Sequence, residues 1–223
     1  MDAVVDSPQV RNDQPDTGGN GLWMTASKPQ TRGSKGLQTR ERLLGAAIAE
    51  FKRDGMAAAD TGVIVAAAGV AHGTFFFHFP TKEHVLLELE RREEERMAAE
   101  LERFFVTEHS VRDTLAEAVR ILKALERRLG NKLFKDFLAL HFSTKRSPAE
   151  EWPHHPVIVA FVDEFRRAQE RGEIPAEVDT FHNAVSFLVG LYALLISMPD
   201  SDEIRTPFVD QYLVTYMYGL RAA

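Results

Sequence analysis

Cysteine is absent from all 223 residues, which excludes a disulfide framework, a thiol nucleophile and cysteine-ligated metal centres. Strand-like alternation of apolar and polar residues is also missing, so a β-rich fold is excluded and an all-α chain is predicted. Positive charge is in short supply: the formal net charge of −6 excludes a general nucleic-acid-binding coat but leaves room for a local contact surface. No basic stretch followed by an apolar run opens the chain. The most apolar segment, 181–198, is borderline in length for a membrane span and carries His182, Asn183 and Ser186 near its start. These features predict a cytoplasmic protein with no membrane partner.

Catalytic equipment is equally thin. Glu93, Glu94 and Glu95 are interrupted and flanked by arginine, which reads as a solvated helix face rather than an acid/base pair. His154 and His155 are adjacent, so their side chains point apart, and no compact group of acidic or cysteine ligands accompanies them; an ion shared with His141 is the weaker alternative. No catalytic residue, metal site or cofactor is expected, and an enzyme is the weakest reading.

What is present is phenylalanine, 15 residues of it, in a chain that is 44% hydrophobic and can build a sizeable core. Three regions follow from pattern. Residues 1–36 contain Pro8, Pro15, Pro29 and the run Gly18-Gly19-Asn20-Gly21 and are expected to be a disordered extension. Lys28, Arg32, Lys35 and Arg40 make its end a basic arm, either a solubilising leader or a contact to DNA backbone and minor groove. Residues 37–84 are electrically balanced and read as a three-helix unit. Residues 85–223 carry the acidic excess and read as a larger helical unit, with helices near 81–106, 111–129, 132–142, 157–171, 178–198 and 203–218.

The segment TGVIVAAAGVAHGTFFFHFPTK, 61–82, is the most informative. After a first helix at 39–54, Thr61 is placed to cap a second, and Val65, Ala66, Val70, Phe75 and Phe79 form the inner side of two short helices crossing at a glycine turn. That is a helix-turn-helix, whose second helix, 72–78, enters the major groove of double-stranded DNA. His72, Gly73, Thr74, Phe76, Phe77 and His78 are its candidate contacts, with Arg40, Thr61 and Lys82 beside them. Thr74 suits a base or phosphate, Gly73 a close backbone approach, Phe77 a thymine methyl, and Lys82 a phosphate. The plain alternative is that Phe76 and His78 are core or interface residues of a generic helical domain.

The motifs Ala66-Ala67-Ala68-Gly69-Val70, Gly73-Thr74-Phe75-Phe76 and Phe79-Pro80-Thr81-Lys82-Glu83 resemble the N-terminal signature of tetracycline-repressor-type (TetR) transcriptional regulators over about residues 39–87. The stretch 167–174 is similar to the Gly-Glu turn that precedes the last two helices in such proteins. The resemblance implies DNA contacts at Thr74, Phe76, His78 and Lys82. Three departures weaken that surface: Ala71 stands where a serine usually caps the recognition helix, costing about 1 kcal/mol; Phe76 replaces a tyrosine; and Gly62 and Val63 leave the second helix poor in polar groups.

The resemblance also implies an effector cavity in the larger unit. Phe105, Leu115, Val119, Leu122, Phe134, Phe137, Leu138, Phe161 and Phe165 are its candidate lining, suited to a small hydrophobic or aromatic molecule, with His141 or Trp152 as polar points. Residue by residue, a filled core explains the same side chains. In the last two helices Phe181, Val185, Leu188, Tyr192 and Leu195, and Phe208, Tyr212, Leu213 and Tyr216 with Met217, form apolar stripes that predict a four-helix homodimer interface. The expectation is a dimeric, ligand-responsive repressor on a pseudo-palindromic operator. The competing reading is a helical dimer whose degenerate helix-turn-helix serves protein contact without specific DNA binding.

Overall fold

Helix α1, Arg32–Asp54, starts seven residues before the apolar pattern predicts, and buries Leu43, Leu44, Ala47 and Phe51 along one stripe. The computed structural model describes residues 32–143 and 152–221. The expected disordered extension at 1–36 therefore lies almost wholly outside the described residues, with Lys28 of the basic arm. Helix α1 stops at Gly55, whose φ of 83° is one that glycine adopts without strain.

Helix α2, Thr61–Ala68, is capped by Asp60 rather than by Thr61: the Asp60 carboxylate accepts from the Gly62 N–H at 2.6 Å. That start directs Ile64, Val65 and Ala68 inward and leaves Ala66 exposed, which corrects the inner face expected from sequence. Gly69 ends the helix at φ 64°, and the N–H groups of Gly69 and Val70 donate back to Ala66 and Val65 carbonyls. This is the left-handed stop that a glycine makes cheaply. Helix α3, His72–His78, then leaves at 96° to α2. Ala71 offers its start no side-chain cap.

Helix α4, Lys82–Phe105, is about 36 Å long at 1.5 Å per residue and belongs to both units. Thr81 sits at its N-cap position but makes no capping bond; its hydroxyl meets His84 Nδ1 instead. Behind it come α5, Val111–Leu129, with a Ser110/Asp113 capping box, and α6, Asn131–Leu140. After a short 3₁₀ turn, Trp152–His154, follow α7, Pro156–Glu170, α8, Thr180–Ser197, and α9, Asp202–Arg221. The described residues contain helices and no strand.

In the larger unit α4 packs on α5 and α7, α7 on α8, α8 on α9, and α5 on α6, while α1 of the small unit packs on α6. The shared core is phenylalanine-rich, with Phe134, Phe137, Phe161, Phe165 and Phe187 fully buried. Helix α8 is long and apolar enough to cross a membrane, and its apolar side is buried against the rest of the unit through Val185, Leu188, Leu191, Tyr192 and Leu195. The face of α4 expected to be solvated is not: Glu90, Glu93 and Glu94 are buried and only Glu95 is exposed. Neighbouring helices supply the cations and imidazoles that make this tolerable, among them Arg128 at 2.6 Å from Glu93.

Candidate DNA-binding surface and effector core

Phe75 anchors α3 into the small core with no exposed surface, and Phe79 seals the end of the helix. The opposite side carries His72, Gly73, Phe76 and Phe77 into solvent, with Thr74 and His78 half-buried beside them. Phe77 is 83% exposed and Phe76 47%, so neither is a core residue. The rings of His72 and Phe76 lie 5.4 Å apart and those of Phe77 and His78 5.1 Å apart, a small aromatic surface one helix turn long. A Cβ on Gly73 would meet nothing within 4 Å, so crowding inside the protein does not require glycine there.

Three residues expected at this surface are engaged elsewhere. The Lys82 ammonium donates to the carbonyls of Ala57 at 2.9 Å and Ala59 at 3.1 Å, pinning the α1–α2 loop to the start of α4. Arg40 lies over the Phe79 ring, 4.6 Å from its centroid, and bonds Glu88 at 3.2 Å. Thr61 is half-buried behind the Asp60 cap. Carbonyls left free by the end of α1, and a carboxylate on α4, are closer partners for these cations than any external phosphate.

Glu88 joins Arg40 on α1 to Arg91 and Arg92 on α4, and Arg92 also reaches Glu41 on α1 at 2.8 Å. Burial pulls the Glu88 pKa upward, but hydrogen bonds from Arg40, Arg92 and Arg91 outweigh it and hold it at about 2. A second clamp lies at the other end of α1. Asp136 on α6 accepts the Met56 N–H at 2.7 Å, and Lys132 donates to the Arg53 carbonyl at 2.7 Å. The small unit is thus held to the large one by α4 and by α6. Sequence reasoning passed over Glu88, Lys132 and Asp136, because polar residues on a helix look solvated until the facing helix is known.

The expected effector lining is packed shut. Leu115, Leu122, Phe134, Phe137, Leu138, Phe161 and Phe165 are buried against one another, Val119 nearly so, and Phe105 is stacked on His109 with a 5.6 Å ring separation. Of these, Leu122 and Phe161 line a void with Met97, Leu101 and Tyr192 that is only about 10 Å³, smaller than one water. Trp152 is half-buried against the core. His141 is buried where α6 ends, its ring 4.8 Å from that of Tyr192, and Glu94 lies 3.2 Å from its Nε2. Of the two adjacent histidines, His154 is exposed while His155 turns inward to Glu94, so the reading that dismissed both misses a buried Glu94–His141–His155 group. Only packing of α4 against α6 and α7 brings these three together. A groove of about 550 Å³ lies elsewhere, between α5 and α9, and of the expected lining includes Leu115.

Residues 43–89, from α1 through the first turns of α4, match the family model for bacterial regulatory proteins of the tetR type. This segment is similar to the N-terminal domain of the TetR family.

The HTH-type transcriptional regulator UidR of Escherichia coli K12 is 26% identical over 187 residues, spanning 83% of this chain and 94% of UidR. The solved structure of Salmonella enterica GusR superposes with a TM-score of 0.55 at 24% identity, covering 88% of this chain and all of GusR. Thermus thermophilus FadR, described as a TetR-family transcriptional repressor in complex with lauroyl-CoA, superposes at 0.62 with 20% identity, over 81% of this chain and 92% of FadR. The two solved structures show the fold. The matched family model and UidR are both those of bacterial regulators.

In this chain the predicted dimer stripe divides in two. Val185, Leu188, Tyr192 and Leu195 are buried inside the subunit, against the other helices of the core, which corrects their expected place at an interface. Tyr212 and Tyr216 are half-buried and tie α9 to α8: Tyr212 Oη donates to the Phe187 carbonyl at 2.8 Å and Tyr216 Oη to Asn183. The backbones approach closely there, since a Cβ on Gly190 would sit 2.4 Å from Tyr212 Oη. Phe208 and Tyr218 stand 57% and 73% exposed on α9, and Phe181 and Leu213 are half-exposed. A bidentate ion pair of buried Arg205 with Glu126, 2.7 Å on both oxygens, fixes α9 to α5.

Proposed function

We propose that the chain is a homodimeric repressor that binds a pseudo-palindromic operator through α3 and releases it when a small, mostly apolar effector enters the larger unit. The observation that carries this reading is the face of α3: four exposed residues, two of them phenylalanines, on a helix that Phe75 holds rigidly from behind. Gly73 adds to it, because a glycine that nothing inside the protein demands suits close approach from outside. Thr74 and the two histidines supply polar contacts, and Phe76 and Phe77 apolar ones. With Lys82 and Arg40 occupied, backbone affinity falls to the α3 histidines and the residues ahead of α1, so strong salt dependence is not expected.

The exposed Phe208 and Tyr218 and half-exposed Leu213 on α9 support the dimer, as a surface that a second copy would cover, and two-fold symmetry would set two α3 helices one DNA turn apart. The effector reading draws on the phenylalanine-rich core and on the lauroyl-CoA complex of the similar Thermus FadR. The void beside Leu122 and Phe161 is only about 10 Å³. An effector must therefore favour an opened state, and it shifts the equilibrium only by its differential affinity. Genomic DNA capture followed by footprinting of the recovered site tests the assignment. Protection of two half-sites about 34–36 Å apart is expected. Absence of saturable specific binding at low ionic strength would leave the exposed phenylalanines as a protein-contact surface.

A further inference from the structure

Three side chains that the repressor reading does not use meet inside the protein where α4, α6 and the start of α7 converge. Glu94 comes from the middle of α4, His141 from the C-terminal end of α6, and His155 from the residue before α7. Their side chains are 8%, 10% and 9% exposed. Glu94 Oε1 lies 3.2 Å from His141 Nε2 and 2.8 Å from His155 Nε2, and one donor atom from each of the three falls within 4.8 Å of the others. Glu90, one turn earlier on α4, brings Oε1 to 3.6 Å from His141 Nε2.

Both imidazoles turn Nε2 toward the Glu94 carboxylate, His155 at 2.8 Å, while the buried Nδ1 of each has no hydrogen-bond partner among the described residues. The Tyr192 hydroxyl, buried beside His141, has no partner either. The two imidazoles, with ring centroids 5.7 Å apart, and the Glu94 carboxylate converge on one point where a divalent ion could accept an Nε2 lone pair from each ring. Two nitrogens and a carboxylate oxygen are a common donor set for zinc, cobalt and nickel, and bonds of 2.0–2.1 Å in a tetrahedron put donor atoms roughly 3.3 Å apart. The Glu94 separations of 2.8 Å and 3.2 Å, with all three donors inside 4.8 Å, bracket that edge length.

We propose that Glu94, His141 and His155 bind a divalent transition-metal ion of the zinc, cobalt or nickel kind, with Glu90 completing the coordination. The ion joins α4, which carries the DNA-binding unit, to α6, which clamps α1. This site stands independently of the repressor reading, since metal loading is measured without DNA.

The test uses tag-free full-length protein, stripped with a chelator and titrated with Co²⁺ and then Zn²⁺. One ion per subunit is expected, with the visible bands of four-coordinate cobalt, which zinc then displaces. His141→Gln and His155→Gln should each weaken Zn²⁺ affinity at least about tenfold, while His154→Gln, one residue away and exposed, should leave it unchanged. Far-UV circular dichroism of each variant confirms its fold, and Glu94→Gln replaces a variant that fails. No saturable one-to-one binding by the wild-type chain overturns the proposal, whatever the variants do. So does wild-type affinity in the doubly substituted His141→Gln/His155→Gln protein, which would place the ion elsewhere.

Discussion

Asp136 on α6 accepts a hydrogen bond from the backbone N–H of Met56 at 2.7 Å, across 80 residues of sequence and from one unit of the protein to the other. Met56 follows the C-terminal end of α1, where backbone groups lose their helical partners. The contact turns a helix end into a lever: a shift of α6 moves α1, and α1 carries α2 and α3.

Asp136→Ala is predicted to weaken this lever. The lost charge-assisted bond should cost about 1–3 kcal/mol in urea unfolding. Operator affinity should change less than the response to effector, because the substitution cuts the connection and not the surface. Equal effector response in mutant and wild type, measured by fluorescence anisotropy on operator DNA, would remove Asp136 from the coupling.

Glu88 makes a pH-dependent clamp between α1 and α4. Its folded pKa, about 2, is depressed from an ordinary 4.5, so its contribution is fully present above 4.5 and is lost as pH falls through 2. Glu88→Gln is therefore expected to destabilise the protein at pH 7 by about 1–2 kcal/mol, a figure discounted for the exposed parts of Arg91 and Arg92. The gap between mutant and wild type should close between pH 4.5 and 2. A gap that stays constant over that range, in denaturant melts, would contradict the assigned ion pairs.

On α3, neighbouring phenylalanines should behave in opposite ways. Phe75→Ala is expected to cost about 3–5 kcal/mol of stability, because it empties a fully buried site. Phe77→Ala, at an exposed site, should change the melting temperature little and reduce operator affinity about tenfold. Gly73→Ala should likewise fold normally, its Cβ meeting no protein atom, and bind DNA more weakly. DNA affinity unchanged in both of the latter variants would argue for the protein-contact role of this face.

Helices α8 and α9 are held at a distance that only glycine permits. Gly190→Ala would push its Cβ to 2.4 Å from Tyr212 Oη, displacing the hydroxyl from the Phe187 carbonyl. A loss of about 1–3 kcal/mol is expected, with weaker dimerisation in sedimentation experiments. Tyr212→Phe, worth about 1 kcal/mol alone, should cost less in the Gly190→Ala background, since the hydroxyl there has already lost the Phe187 carbonyl and removing it relieves the clash. Simple additivity of the two changes in a double-mutant cycle would disprove the contact.

The sequence by itself determined the all-α class, the helix-turn-helix and most helix limits, because these depend on local terms: 3.6-residue periodicity, glycine stops and the Phe79-Pro80 break. It also singled out the exposed part of α3, where a short helix with one buried anchor leaves little choice of face. Tertiary structure decided what each long helix turns toward its neighbours. Periodicity defines a stripe but not its partner, so Val185, Leu188, Tyr192 and Leu195 read as an interface and proved to be subunit core. Charge patterns misled for the same reason. Glu94 looks solvated and Lys82 free until α6, α7 and the α1–α2 loop pack over them. The cost of burying a charge is set by the groups that meet it, and residues 47 and 61 positions from Glu94 supply them only once the helices cross.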